Sequence, residues 1–364
     1  KKIQPNKVVI IFGARRVGKT VLVKEIIGKL EEPVFSLNGE DINVHDKLSI
    51  RTVENYRQLL GSYKVLYIDE AQKIPEIGLK LKLMVDEIEG LKIIISGSSS
   101  IDILKDAGEP LTGRKHTFTL FALSENEYHQ VENSITKIDK IRERLIFGNY
   151  PELLHLPDQA DKIDYLNELV SSYLLKDILV YENIKNSQKI FNLLRLIAFQ
   201  IGGEVSLQEL GKQLVISKNT VEKYLDLLSK VYILHKVEGF SRNLRKEITK
   251  NSRWYFLDNG IRNAIIANFN PIEARNDIGQ LWENYMISER LKYQEYNSIS
   301  SNNYFWRTYE QQEIDWVEER GGLLHGYEFK WEKDKVKVPT QWKSAYPDSS
   351  FEVINNSNFG IWLK

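Results

Sequence analysis

Three short apolar runs dominate the first third of the chain: Val8-Val9-Ile10-Ile11-Phe12, Val65-Leu66-Tyr67-Ile68 and Lys92-Ile93-Ile94-Ile95. Each ends in glycine or polar residues, the pattern of a strand buried on both faces. Between them apolar residues recur at helical spacing, as in Val21, Leu22, Ile26 and Ile27 after Gly18, and again over Leu79–Ile88. Strands alternating with helices predict an α/β fold with a mostly parallel sheet, whose ligands sit at the carboxyl ends of the strands. The polar residues of interest fall at those ends.

From about Ser124 the pattern turns helical, opened by a capping box at Ser124–Glu127 and broken at Phe147-Gly148-Asn149-Tyr150-Pro151. Helices are expected to continue from Asp161 to Tyr181. Residues 188–240 read as three helices and a strand, Val231–Leu234. After about Asn251 come a strand (Trp254–Leu257), a helix (Gly279–Leu291) and three strand-like runs, Tyr304–Arg307, Ile314–Val317 and Leu323–Lys330. These shifts divide the chain into four parts: 1–122, 123–187, 188–250 and 251–364.

Lysine plus arginine equals aspartate plus glutamate, 50 of each among 364 residues, so any pull on nucleic acid must come from a local patch. With no cysteine there is no disulfide framework, thiolate metal site or thiol nucleophile. The six histidines are scattered without metal-ligand spacing. No uncharged apolar run reaches the length of a membrane span, and the opening Lys-Lys-Ile-Gln-Pro-Asn-Lys carries no signal-peptide core. A cytoplasmic protein with no membrane partner is expected, and the absent initiator methionine points to a trimmed start.

Gly13-Ala14-Arg15-Arg16-Val17-Gly18-Lys19-Thr20, with Val21 opening the helix, matches the phosphate-binding loop G-x-x-x-x-G-K-[ST] between a buried strand and a helix. Its glycines let backbone N–H groups turn toward phosphates, and the helix N-terminus adds partial positive charge. Lys19 would reach the β- and γ-phosphates of ATP, and Thr20 would join the shell of a magnesium ion. The strand ending Ile68-Asp69-Glu70 supplies two carboxylates, Asp69 for the magnesium and Glu70 to polarise the attacking water. Ser98, at the end of the next strand, is a candidate for the γ-phosphate or the water, and equally a turn residue. Arg114 is a candidate arginine finger, in cis or from a neighbouring subunit.

Two further constellations follow. Ser206–Leu210 and Ile216–Leu225 read as a helix-turn-helix, with Ser206 and Ser217 as N-caps and Val221, Leu225 and Leu228 as an apolar stripe. Lys218, Asn219 and Lys223 lie elsewhere on the second helix, and Arg242, Arg245, Lys246, Lys250 and Arg253 follow as a basic wing. That module would suit DNA phosphates, or serve only to dock a protein. Farther on, Glu313-Ile314-Asp315 precedes Glu328-Phe329-Lys330, in which period-two alternation puts Glu328 and Lys330 on one face. Asp315 and Glu328 could share a magnesium ion beside Lys330, with Glu283 completing the set. An ordinary cross-strand ion pair is the competing reading.

The succession Gly13–Thr20, Tyr67–Gln72, Ser96–Ser99, Leu111–Arg114, Phe147–Glu152, Tyr255–Gly260, Gly279–Asn284 and Glu313–Lys330 resembles a group of AAA+-superfamily ATPases. In that group a P-loop domain is joined to a C-terminal domain of unknown function. The order helix Glu283, strand Asp315, strand Glu328-Phe329-Lys330 resembles the PD-(D/E)xK nuclease core, with Ile314 in place of its proline. The resemblance implies a P-loop ATPase sheet with a helical lid, a winged helix and an α/β nuclease-like C-terminus. It raises Ser98 as sensor and Arg114 as finger. It leads to an ATP-hydrolysing switch that presents its C-terminal domains to DNA, or to an ATP-gated scaffold whose inactive nuclease-like domain binds a protein partner.

Overall fold

Alternate residues of a strand face opposite ways, and the first strand finds cover on both sides. The computed structural model describes residues 2–98, 111–132, 137–174, 187–241, 252–332 and 335–363. In it, β1 (Lys7–Phe12) is followed by α1 (Lys19–Gly28), β2 (Val34–Asn38), α2 (Ile42–Ser49), α3 (Val53–Leu60), β3 (Val65–Asp69), α4 (Ile77–Glu87), β4 (Lys92–Gly97) and β5 (Lys115–Thr119). Val8, Ile10 and Phe12 join Leu66, Ile68, Ile93 and Ile95 in a core closed by Leu48, Tyr56, Leu81 and Met84 from α2, α3 and α4. Val9 and Ile11 pack the other way with Tyr67 and Ile94, against Val23 of α1. The five strands run parallel in the order β2-β3-β4-β1-β5.

The expected parallel α/β sheet is therefore present, with two more strands than the apolar runs predict. Val34-Phe35-Ser36-Leu37-Asn38 and Lys115-His116-Thr117-Phe118-Thr119 form its two edges. An edge strand has one hydrogen-bonded neighbour and less cover, so it tolerates polar residues that hide it from an apolar-run search.

The chain forms two compact units, residues 1–122 with Lys230–Tyr232, and residues 123–229 with 233–364. The second unit holds β6 (Glu204–Val205), β7 (Leu234–Gly239), β8 (Ser252–Phe256), β9 (Asn302–Arg307), β10 (Glu313–Arg320), β11 (Leu323–Phe329) and β12 (Ser350–Ile354). They make one sheet in the order β12-β11-β10-β9-β7-β8-β6. β7 pairs with β8 through Leu234–Val237 and with β9 through Glu238 and Gly239, so the strands after the helix-turn-helix run directly into those bearing the E-x-K residues. The strand expected at Val231 starts three residues later, because Tyr232 takes a φ of 61° in an intervening turn. The helix-turn-helix forms as Leu207–Leu214 and Lys218–Lys230, with Ser206 and Ser217 as N-caps and Val221, Leu225 and Leu228 buried.

The capping box at Ser124 forms, Ser124 N donating to Glu127 Oε2 at 2.8 Å, but the helix it opens ends at Tyr128. The helical reading through Tyr181 holds for Gln159–Glu168 and the helical turn Leu169–Leu174; residues 175–181 lie outside the described residues. Three stretches quoted for the family resemblance meet in a buried knot. Asp258 Oδ2 accepts from Asn149 N at 2.7 Å, and Asn284 exchanges hydrogen bonds with Phe256 N and O at 2.7 and 2.9 Å. Asn259 and Asn263 donate to the last carbonyls of the helix Lys137–Phe147. Apart from Asn149 Oδ1, which is buried without a hydrogen-bond partner, these groups pair across the three stretches, and such pairing favours one packing of the second unit.

Candidate functional site

The phosphate loop leaves the carboxyl end of β1, and its shape needs its glycines. At Gly13 φ is 154°, and a Cβ would stand 2.0 Å from the carbonyl oxygen of Leu120, just past β5. At Gly18, the N-cap of α1, φ is 97°. Lys19 is buried with its ammonium folded into the loop, donating to Gly13 O at 3.0 Å and Ala14 O at 2.7 Å. A cation held at the centre of a loop capped by a helix N-terminus is the arrangement a polyphosphate requires.

Because β4 lies between β1 and β3, its carboxyl end stands between the loop and the acidic pair. Thr20 Oγ1 donates to Asp69 Oδ2 at 2.9 Å, which joins the loop to the strand carboxylate. Asp69 Oδ1 accepts from the Ser96 hydroxyl and from Glu70 N at 3.1 Å, and the Tyr67 hydroxyl lies 3.0 Å from Ser96 Oγ. Glu70 sits just past the strand at φ 47°, and its carboxylate accepts from the Gln72 amide. The same amide donates to Ser98 Oγ at 3.1 Å. Lys19, Thr20, Asp69, Glu70 and Ser98 thus lie along one edge of one sheet, as the residue patterns anticipate. Gln72 and Ser96, which lie in the stretches quoted for the resemblance but carry no assigned role there, join the site as well; their signal is a strand ending in hydroxyls beside one ending in carboxylates. Thr20 and Asp69 present adjacent hard oxygens, a donor set that fits magnesium.

Arg114 is not brought to this edge. Its carbonyl accepts from Val8 N at 2.8 Å, which places it at the start of β1 and β5, about 20 Å of strand rise from the loop. Its guanidinium pairs with Asp86 at the end of α4. A finger acting within this first unit is excluded by that placement.

The C-terminal constellation assembles in part. Lys330 Nζ lies 2.7 Å from Glu328 Oε1 and 3.7 Å from Asp315 Oδ2, and Phe329 N donates to Asp315 Oδ2 at 2.9 Å. Glu328 Oε2 is buried without a hydrogen-bond partner. The third candidate, Glu283, stands beside the same Arg253 guanidinium as Asp315 but is already hydrogen-bonded. Glu283 Oε1 accepts from the Tyr255 hydroxyl at 2.7 Å and lies 3.8 Å from Arg253, and among the described residues no three acidic or histidine side chains are placed to hold a metal.

Arg253 corrects a second expectation. Instead of offering itself to solvent in a basic wing, it is buried, 2.8 Å from Glu313 and 3.9 Å from Asp315, with its guanidinium over the Phe305 ring. The other wing residues, Arg242, Arg245, Lys246 and Lys250, lie outside the described residues. Lys218, Asn219 and Lys223 are exposed and line a cavity of about 930 Å³ with Lys236, but Glu222 and Asp226 line it too and offset most of that positive charge. Trp306 and Trp316 are buried in packing.

Burial, with Asp315 nearby, pushes the Glu283 carboxyl up to about 8 and that of Glu328 up to about 7; burial also raises Asp315. These folded-state values exceed those of an unfolded carboxyl, so the folded state binds more protons between about pH 4.3 and 8. Their contribution is complete at the acid end of that window and is lost as pH rises through it. The melting temperature of the second unit is expected to fall from pH 5 to pH 8.5, with a shallower slope in Glu283→Gln. Thermal unfolding across that range checks this, and parallel slopes would contradict it.

Residues 5–129 match a family described as an AAA domain. That stretch holds the loop, the acidic pair and the five parallel strands, so the first unit carries an AAA-type domain, a class whose phosphate loop takes nucleotides. Residues 138–272 match DUF8612 and residues 278–359 match DUF4143, both described as domains of unknown function. An uncharacterized protein of Methanocaldococcus jannaschii is 24% identical over 339 residues, spanning 87% of this chain and 73% of its own. One of Mycobacterium tuberculosis is 24% identical over 326 residues, 89% of this chain and 70% of its own. A solved DNA replication initiation factor aligns over 62% of this chain and 86% of its own, at 14% identity and a TM-score of 0.27. Among the described residues no helix is long and apolar enough to cross a membrane.

Proposed function

We propose that the protein is a magnesium-dependent ATP-binding and ATP-hydrolysing switch. The observation that carries this reading is the hydrogen bond from Thr20 to Asp69, beside a lysine folded into a glycine-shaped loop. It brings two distant sequence elements together where a nucleotide's terminal phosphates would lie. Gly13–Val21 would surround the phosphates, with Lys19 on the β- and γ-oxygens. A magnesium ion held by Thr20 and Asp69 would neutralise charge on those oxygens. Glu70 would take a proton from the attacking water, and Ser98 would contact the γ-phosphate. Arg114, at the far edge of the sheet, is read as a finger offered to the site of a neighbouring copy.

For the output of the switch two readings differ in chemistry. In the first, the helix-turn-helix and its strands are a winged helix and Asp315, Glu328 and Lys330 a PD-(D/E)xK-type centre acting on DNA. In the second, the C-terminal part is an ATP-gated scaffold for a protein partner. The burial of Arg253 beside Glu313 and Asp315, with Lys330 paired to Glu328, favours the second, because ion pairs already supply much of the charge that a metal would.

The deciding experiment measures phosphate release from ATP and magnesium with and without single- and double-stranded DNA, in wild type and Asp315→Ala. Hydrolysis indifferent to DNA, with no cleavage product, is expected from the scaffold. Stimulation by DNA together with cleavage lost in Asp315→Ala would reinstate the first reading.

A further inference from the structure

We propose that Gln72 is a positioning residue that links the Ser98 hydroxyl to the Glu70 carboxylate, so that occupancy of the γ-phosphate position is relayed to the residue that activates water. This rests on the hydrolysis reading above and adds a role that the loop motifs do not contain.

Local geometry puts the amide there. Glu70 takes a left-handed φ of 47°, and Ala71–Lys73 form a single 3-10 turn that brings residue 72 back over residue 70. Gln72 is buried, and its Nε2 donates both to Glu70 Oε2 and to Ser98 Oγ, the latter at 3.1 Å. Its carbonyl Oε1 is buried with no hydrogen-bond partner. An amide that leaves its acceptor unpaired is held by its donors. The flipped orientation would aim the carbonyl at the carboxylate, which repels it.

Two consequences follow. The Glu70 carboxylate accepts a hydrogen bond from the Gln72 amide, which fixes the direction in which it points. Ser98 receives on its oxygen, so its own proton is the group it has to donate, and the end of β4 faces the space between the loop and the acidic pair. When a hydroxyl donates onward its oxygen becomes a better acceptor, since hydrogen bonds in a chain polarise one another. A γ-phosphate oxygen accepting from Ser98 would therefore tighten the Gln72 contacts and the placement of Glu70. A nucleoside diphosphate, having no γ-oxygen, would not. The amide would thus place Glu70 for catalysis when a triphosphate, and not a diphosphate, is bound.

The test compares full-length wild type, Gln72→Met, which keeps the volume and removes both donors, and Gln72→Glu, which replaces a donor by a like charge beside Glu70. Steady-state phosphate release is measured together with equilibrium binding of ATP and ADP. The expected result for both variants is a kcat lower by about tenfold or more, with ATP and ADP affinities within about threefold of wild type. Wild-type hydrolysis with an unchanged kcat in both variants would overturn the relay and leave the ATPase reading standing. Loss of ATP affinity in parallel with kcat would overturn it too, by showing a structural role only. A wild type that binds ATP but releases no phosphate would remove the hydrolysis reading, and the relay with it.

Discussion

Glu70→Gln is expected to slow ATP hydrolysis by about 10²- to 10⁴-fold while leaving ATP bound at near wild-type affinity. The carboxylate lies just past the end of β3, beyond Asp69, which already holds the Thr20 hydroxyl. Removing its charge takes away the base and leaves the loop, Lys19 and the Thr20–Asp69 pair untouched. The glutamine is nearly isosteric, so folding is preserved and the substitution separates chemistry from binding. Single-turnover phosphate release and an ATP titration on the same preparation check both halves. A variant that hydrolyses at the wild-type rate would move the water-activating role elsewhere.

Gly260→Ala is expected to destabilise the second unit by about 3 kcal/mol or more. A Cβ at this position would stand 2.0 Å from the carbonyl oxygen of Phe147 and 3.0 Å from Asp258 Oδ1. The first is backbone, fixed by Asn259 and Asn263 donating to neighbouring carbonyls, so it cannot step aside without breaking the knot. Gly279→Ala is the internal control. That residue lies in the helix Ile278–Tyr296 with nothing near its would-be Cβ, and alanine there should be neutral or stabilising by up to about 1 kcal/mol. Urea unfolding of the two variants gives the comparison, and equal midpoints would show that the knot yields more easily than its geometry implies.

Which features were legible in the sequence follows from how local their causes are. The strands ending at Phe12, Asp69 and Gly97 are internal to the sheet, so apolar runs announce them; the edge strands at Val34 and Lys115 do not have that signature. The loop and the acidic pair are each contiguous in sequence, and their types and order are enough to name them. Gln72 and Ser96 become part of the site only through the parallel register of β3 against β4, which sets Ile68 beside Ile95 and so Asp69 next to Ser96. The register could not be read from either strand alone. Arg114 is raised as a finger by the family resemblance, but it directly precedes β5 and so lies at the amino ends of the strands, away from the loop.

Arg253 was the instructive case. Read along the chain it continued a basic run; in the fold it starts a buried strand and meets Glu313 and Asp315, some sixty residues away. Its neighbours Trp254, Tyr255 and Phe256 were the available warning, since an arginine opening an apolar strand needs a buried partner. Glu283 was placed on the correct helix, but the Tyr255 hydroxyl that engages it comes from another strand of the sheet.

The central claim is that the loop at Gly13–Thr20 binds a magnesium–nucleoside triphosphate. Equilibrium binding of ATP, with and without magnesium, to wild type and Lys19→Ala tests it most directly. The account predicts saturable, magnesium-enhanced binding to wild type and a loss of about 100-fold or more in the variant, since charge-assisted contacts to two phosphate oxygens disappear. Equal affinity in the two proteins, or no binding to wild type, would contradict it.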